Sequence, residues 1–168
     1  MLIMGGLAVL AYFQDRGWSA SGGLVAALIY ALGGSAAWRI QHTGQIMSYC
    51  WIPVALWILA RAMDRRTIGL GITAGSIVSF LVLGRDQVAF LGLIFLATYT
   101  FYRCFSDDAP IVTALNPLLS AAVVGVLLIL APLALTYELA RISNRPEIDI
   151  LEAYKGSLDR KSTRLNSS

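Results

Sequence analysis

Charge is what this chain has least of. Only 14% of its 168 residues are charged and 57% are apolar, whereas a soluble domain of this size carries about 25% charged residues. With a mean hydropathy of +0.68 and the apolar residues gathered into long blocks, a soluble globular domain is excluded and a polytopic membrane protein is indicated. A net charge of +3 is too small to mark a nucleic-acid-binding protein.

Other shortages narrow the chemistry. There are two cysteines and one histidine. Cys50 and Cys104 fall near opposite ends of two different helices, so no disulfide is expected. No cysteine–histidine spacing suits zinc, so no metal site is expected. The sequence has no phosphate-binding glycine loop, no dinucleotide fingerprint and no serine elbow, and no cofactor is expected. The apolar runs lack the alternation of membrane strands, which excludes a barrel.

What is present is a series of apolar runs joined by short polar connections. The first, Leu2–Phe13, is shorter than the roughly 20 residues of a full span and has no basic residue before it. It reads as the interior of a helix belonging to a longer protein. Five more helices are expected, over Ser21–Trp38, Ile46–Met63 with Pro53 inside, Thr67–Leu83, Gln87–Tyr102 and Leu115–Tyr137. The fold class is therefore all-α, a polytopic transmembrane bundle of about six helices, with residues 1–158 forming one section of a helical membrane domain. The last ten residues, "DRKSTRLNSS", change composition abruptly and match the translation of a sequencing-library adapter, so 159–168 are expected to be a non-native tail. Without that tail, thirteen basic and ten acidic residues fall to ten and nine, and the net charge falls to +1.

Alternate connections share a side of the membrane. Arg16, Arg61, Arg65, Arg66 and Arg103 belong to one set, and Arg39 and Arg85 to the other. The excess of positive charge places the first set in the cytoplasm. Residues 39–45, residues 84–87 and the segment after 138 are then extracytoplasmic. Glycine pairs mark expected helix contacts: Gly71 and Gly75 at GxxxG spacing, and Gly22, Gly23, Gly33 and Gly34 along the second helix. Pro53 and Pro132 are expected to kink their helices.

The polar residues able to carry chemistry lie in "RIQHTGQ" and "GRDQ". One reading of the latter is purely structural: Gly84 ends a helix, Arg85 snorkels to headgroups and Asp86 caps the following helix. The other takes Arg39, His42, Gln45, Arg85, Asp86 and Gln87 together as a binding site for an anionic headgroup, phosphate above all. Gln41 lies in the same loop. His42 itself can be a water-satisfied interfacial residue, a phosphate donor or a general acid/base. The tail from Glu138 onward reads as the start of an outer loop.

These residues also carry a resemblance. A small-residue helix, "RIQHTGQ", the helix "WIPVALWILARAMDRR" and a glycine-rich helix ending in "GRDQVA" resemble the YfhO-type bacterial membrane proteins, which are related to the GT-C glycosyltransferases. The matching positions are His42, Trp51 with Pro53, and Gly84 with Gln87, and the "SNRPE…GSL" tail resembles the outer loop that follows in that family. The resemblance spans nearly all of residues 1–158. It implies a bacterial inner-membrane protein that transfers a sugar from a polyprenyl-phosphate donor on the outer face, without a nucleotide sugar. The family's catalytic acid sits in a first outer loop preceding this section, so no residue here is assigned as catalytic. The section alone is expected to be inactive. The alternatives are a lipid-linked sugar flippase or other transporter, and a membrane scaffold without substrate.

Overall fold

A computed structural model describes residues 1–39, 41–83, 86–105 and 111–142. The described residues are almost wholly helical, in the order α1 (Leu2–Asp15), α2 (Ala20–Leu32), α3 (Gly34–Arg39), α4 (Thr43–Arg65), α5 (Ile68–Leu83), α6 (Gln87–Phe105) and α7 (Ile111–Ile142). This is an all-α helical bundle. Four stretches are long and apolar enough to cross a membrane: Ala20–Trp38, Thr43–Arg65, Gln87–Phe105 and Leu115–Ile142. That is the make-up of a helical membrane protein. The expected outer-loop segment beyond Ile142 and the expected foreign tail at 159–168 lie outside the described residues.

Local chemistry sets the helix ends. After α1, Gly17 takes φ +67°, a left-handed conformation open to glycine. Trp18 N–H then bonds back to the Phe13 carbonyl at 3.0 Å. Ser19 caps α2 by accepting the Gly22 N–H at 3.0 Å, which satisfies one of the donors that every helix start leaves open. Asp86 does the same for α6, accepting the Ala89 N–H at 2.7 Å.

The second expected helix is not continuous. Gly33 is extended, with φ −66° and ψ 163°, and divides α2 from α3. Two successive glycines cost a helix about 1 kcal/mol each relative to alanine, and a Cβ at Gly33 would collide with the Ile29 carbonyl. Gly33 and Gly34 thus make a break rather than a helix contact, and Gly34 has open space where a side chain would go. Gly23 does pack, with room for a Cβ only 3.0 Å from Phe13 on α1. Helix α7 outruns its expected Leu115–Tyr137 range at both ends.

The chain divides into two compact units, Met1–Leu133 and Ala134–Ser168. In the first, α4 is central, with 44% of its span buried. Its core is small and apolar: Ala55 and Leu59 meet Ala74 and Leu81 of α5 and Ala89 and Leu96 of α6, with Leu118 and Ala121 of α7 packed alongside. Alanine and glycine let the backbones approach, as packing in lipid requires. At Gly92 a Cβ would lie 2.8 Å from Ile52, and Gly71 and Gly75 press α5 onto α7 with no room for a Cβ against Pro117, Ser120 and Ala121.

These neighbours fix the helix directions. Gly5 lies beside Cys50 while Arg16 reaches Asp64, so α1 and α4 run parallel. Ser48 reaches Asp86 and Asp64 reaches Arg103, so α6 runs with them. Helices α1, α4 and α6 therefore begin at the same end of the unit. In the second unit, the last turns of α7 hold a 3.9 Å pair between Arg141 and Glu138, and Arg141 lies over the Tyr137 ring.

Candidate functional site

The described parts of "RIQHTGQ" and "GRDQ" lie at the starts of α4 and α6, and Asp86 is where the two helices meet. Ser48, one turn into α4 and 1% exposed, donates its hydroxyl to Asp86 Oδ2 at 2.9 Å. The other oxygen of Asp86 holds the Ala89 N–H. A Cβ on Gly44 would lie 3.8 Å from the same carboxylate. Asp86 therefore sits between two helix N-termini, capping one and leaning on the first turn of the other.

His42 is the N-cap residue of α4, extended at φ −116° and ψ 90°, and its side chain makes no capping bond. It is exposed, Gln45 is half-buried in the first turn and Gln87 is exposed at the start of α6. Arg39 ends α3, and its side chain, like the whole of Arg85 and of Gly84, lies outside the described residues. Two parallel helices, of 23 and 19 residues, thus aim the positive ends of their dipoles at one place. Each is equivalent to about half an elementary charge. One carboxylate offsets part of that field. The arrangement can hold an anion by backbone N–H groups and an imidazole.

A cleft of about 430 Å³ adjoins this end, at the break between α2 and α3, lined by Ala26, Ile29, Tyr30, Gly33, Gly34, Ser35 and Tyr49. Tyr30 and Tyr49 stack with centroids 4.3 Å apart and planes 5° apart. They exchange bonds: the Tyr49 hydroxyl donates to the Tyr30 carbonyl at 3.1 Å, and the Tyr30 hydroxyl donates to the Tyr49 carbonyl. The Tyr49 hydroxyl takes up a carbonyl near the end of α2, a group that a broken helix in a membrane must satisfy elsewhere. Sequence reading missed this element, although the tandem glycine in an otherwise apolar run was its signal.

The opposite end holds a second polar cluster. Asp64 of α4 receives Arg16 at 2.8 Å and Arg103 at 2.6 Å, one guanidinium on each oxygen. The Tyr99 hydroxyl accepts from Tyr12, Arg16 and Arg103, each at 3.3 Å. Asp15 receives Arg61 at 2.6 Å and the Trp57 indole N–H at 2.7 Å, with Arg61 also 4.8 Å from the Trp57 ring centroid. Asp15 ends α1, outside the four candidate spans. Burial pushes its pKa up, but the bonds from Arg61 and Trp57 and the charges of Arg61 and Arg65 outweigh this and hold it below the ordinary value. Both carboxylates are engaged by arginines from other parts of the bundle, so this cluster joins helices.

Cys50 and Cys104 are free thiols. Among the described residues, no group of three or more histidine, cysteine, aspartate or glutamate side chains is placed to hold a metal ion. Compared with known proteins, the chain matches no family model, no curated protein and no solved structure.

Proposed function

We propose that this protein is a GT-C-like membrane glycosyltransferase of the bacterial inner membrane, and that the end formed by α4 and α6 holds the phosphate of a polyprenyl-phosphate sugar donor on the extracytoplasmic face. The observation that carries the reading is the Ser48–Asp86 hydrogen bond of 2.9 Å. It ties the first turns of α4 to the start of α6, so that two helix N-termini separated in sequence lie side by side. A phosphate there would be met by backbone N–H groups, by the dipoles of α4 and α6 and by the His42 imidazole. The cleft beside Gly33 gives the adjoining sugar or the first isoprene units room. The acid that activates the acceptor is assigned to no residue of this sequence.

The test is a titration of the protein in nanodiscs with a polyprenyl phosphate. Replacing His42 by Ala removes one imidazole N–H donor and is expected to weaken binding about fivefold. Asp86→Asn keeps the cap, because Asn caps as well as Asp. It removes a negative charge facing the phosphate, so binding is expected to tighten severalfold. Binding untouched by either change would overturn the proposed site. Carrier movement across vesicles without transfer in the full-length protein would favour the flippase alternative.

A further inference from the structure

Among the described residues at the arginine-rich end, arginines outnumber carboxylates. The described carboxylates there are Asp15 and Asp64, and they are taken by Arg61, Arg16 and Arg103. Arg65, whose charge is also felt by Asp15, and Arg66 remain. Both are exposed, and neither forms a salt bridge among the described residues. Arg66 is also the C-cap of α4, with φ +54°, in the left-handed region where glycine is the residue at ease. The chain keeps a long cation at the turn where glycine would fit best.

Two residues beyond Arg66, α5 begins at Ile68, and beside it opens a groove of about 430 Å³ between α5 and α7. Its walls are Ile68 and Ile72 on one side and Leu119, Val123 and Val124 on the other, with Asn116 and Ser120 as its polar members. Ser120 Oγ lies 3.4 Å from the Ile68 carbonyl, which places the polar part of the groove at the end where α5 starts. Gly71 and Gly75 lock the two helices together beneath it, so the groove is set by backbone packing rather than by movable side chains. Two exposed arginines in the turn that precedes Ile68, followed by an apolar channel, suit an amphiphile with an anionic head.

We propose that the α5/α7 groove, with Arg65 and Arg66 at its mouth, binds an anionic phospholipid, its phosphodiester at the arginines and one acyl chain along Ile72, Leu119 and Val123. A juxtamembrane arginine adds about fivefold to the affinity for anionic lipid. The site lies at the opposite end of the bundle from the polyprenyl-phosphate site and does not depend on it.

The experiment counts bound lipid by native mass spectrometry while purified protein is titrated with phosphatidylglycerol or phosphatidylcholine. The wild type is expected to prefer phosphatidylglycerol. The Arg65→Gln/Arg66→Gly variant, whose new glycine suits the turn, should lose about 25-fold in that affinity. Val123→Phe fills the groove without changing charge and should also weaken phosphatidylglycerol. Asp107→Asn/Asp108→Asn, in the connection before α7 that lies outside the described residues, should leave the wild-type preference in place. Four results would overturn the proposal, with circular dichroism confirming a wild-type helix content in each variant. They are equal affinity for the two lipids, a preference that survives loss of both arginines, no effect of Val123→Phe, or a preference that emerges only when the two aspartates are removed.

Discussion

Asp64 Oδ1 lies 2.6 Å from Nη2 of Arg103, joining the last turns of α4 and α6. Arg103 is 6% exposed, so its charge has little water to fall back on. Removing one partner of a buried pair costs about 3–5 kcal/mol, and because Asp64 is partly exposed the cost falls below that, to about 2–3 kcal/mol. We expect Asp64→Ala to lower the unfolding temperature in detergent. Asp64→Ala combined with Arg103→Met should recover part of the loss, since the more deeply buried of the two arginines that Asp64 holds is then uncharged and only Arg16 is left without its carboxylate. A double variant no better than the single one contradicts this role for the pair.

The packing of α5 on α7 gives a second expectation. Gly71→Ala and Gly75→Ala each put a methyl against backbone or hydroxyl atoms of α7. Overpacking of this kind costs about 1–3 kcal/mol. Gly69→Ala, where nothing lies within 4 Å, should be neutral or slightly stabilising. Thermal unfolding of the three variants checks the contrast, and equal effects at all three positions would contradict it.

These two features also show what the sequence disclosed. GxxxG spacing pointed to Gly71 and Gly75 because small residues in lipid have one main use, close approach. The six apolar runs were legible because a membrane span is defined by length and hydropathy. The ends were less so: Glu138 and Arg141 look like loop residues, yet they continue α7 as an i,i+3 pair. The break at Gly33 was hidden by an apolar run that continues through it. The arginines of alternate connections were legible as a bias of charge. Their pairing with Asp15 and Asp64 was not, since it depends on α1, α4 and α6 running parallel. The capping role of Asp86 could be read locally, but its bond to Ser48, 38 residues away, could not.

Acid should weaken the bundle through Asp15. Its folded pKa is held below the ordinary value by Arg61 and Trp57 against the effect of burial. A depressed carboxylate stabilises the fold fully above its unfolded value of about 3.9, and that contribution is lost as pH falls from there through the lower folded value. Unfolding temperature measured against pH should drop more steeply in the wild type than in Asp15→Asn over this range. Parallel curves would contradict the assignment.

Asp86 is expected to behave as a cap first. Asp86→Ala removes the acceptor of the Ala89 N–H and the partner of Ser48 and should cost about 1–2 kcal/mol. Asp86→Asn should cost less than half of that, since its side-chain oxygen still accepts the N–H. Denaturant titration of the two variants separates the cap from the charge. Equal losses would mean that the negative charge itself stabilises α6.

The most direct measurement of the central claim is where a photoactivatable polyprenyl phosphate crosslinks to the protein. Labels mapped by mass spectrometry should concentrate at residues 42–49, at Gln87 and beside Gly33, and should fall sharply when polyprenol without its phosphate is used. Labels spread along the outer faces of α2 and α7, equally strong with polyprenol, would contradict it.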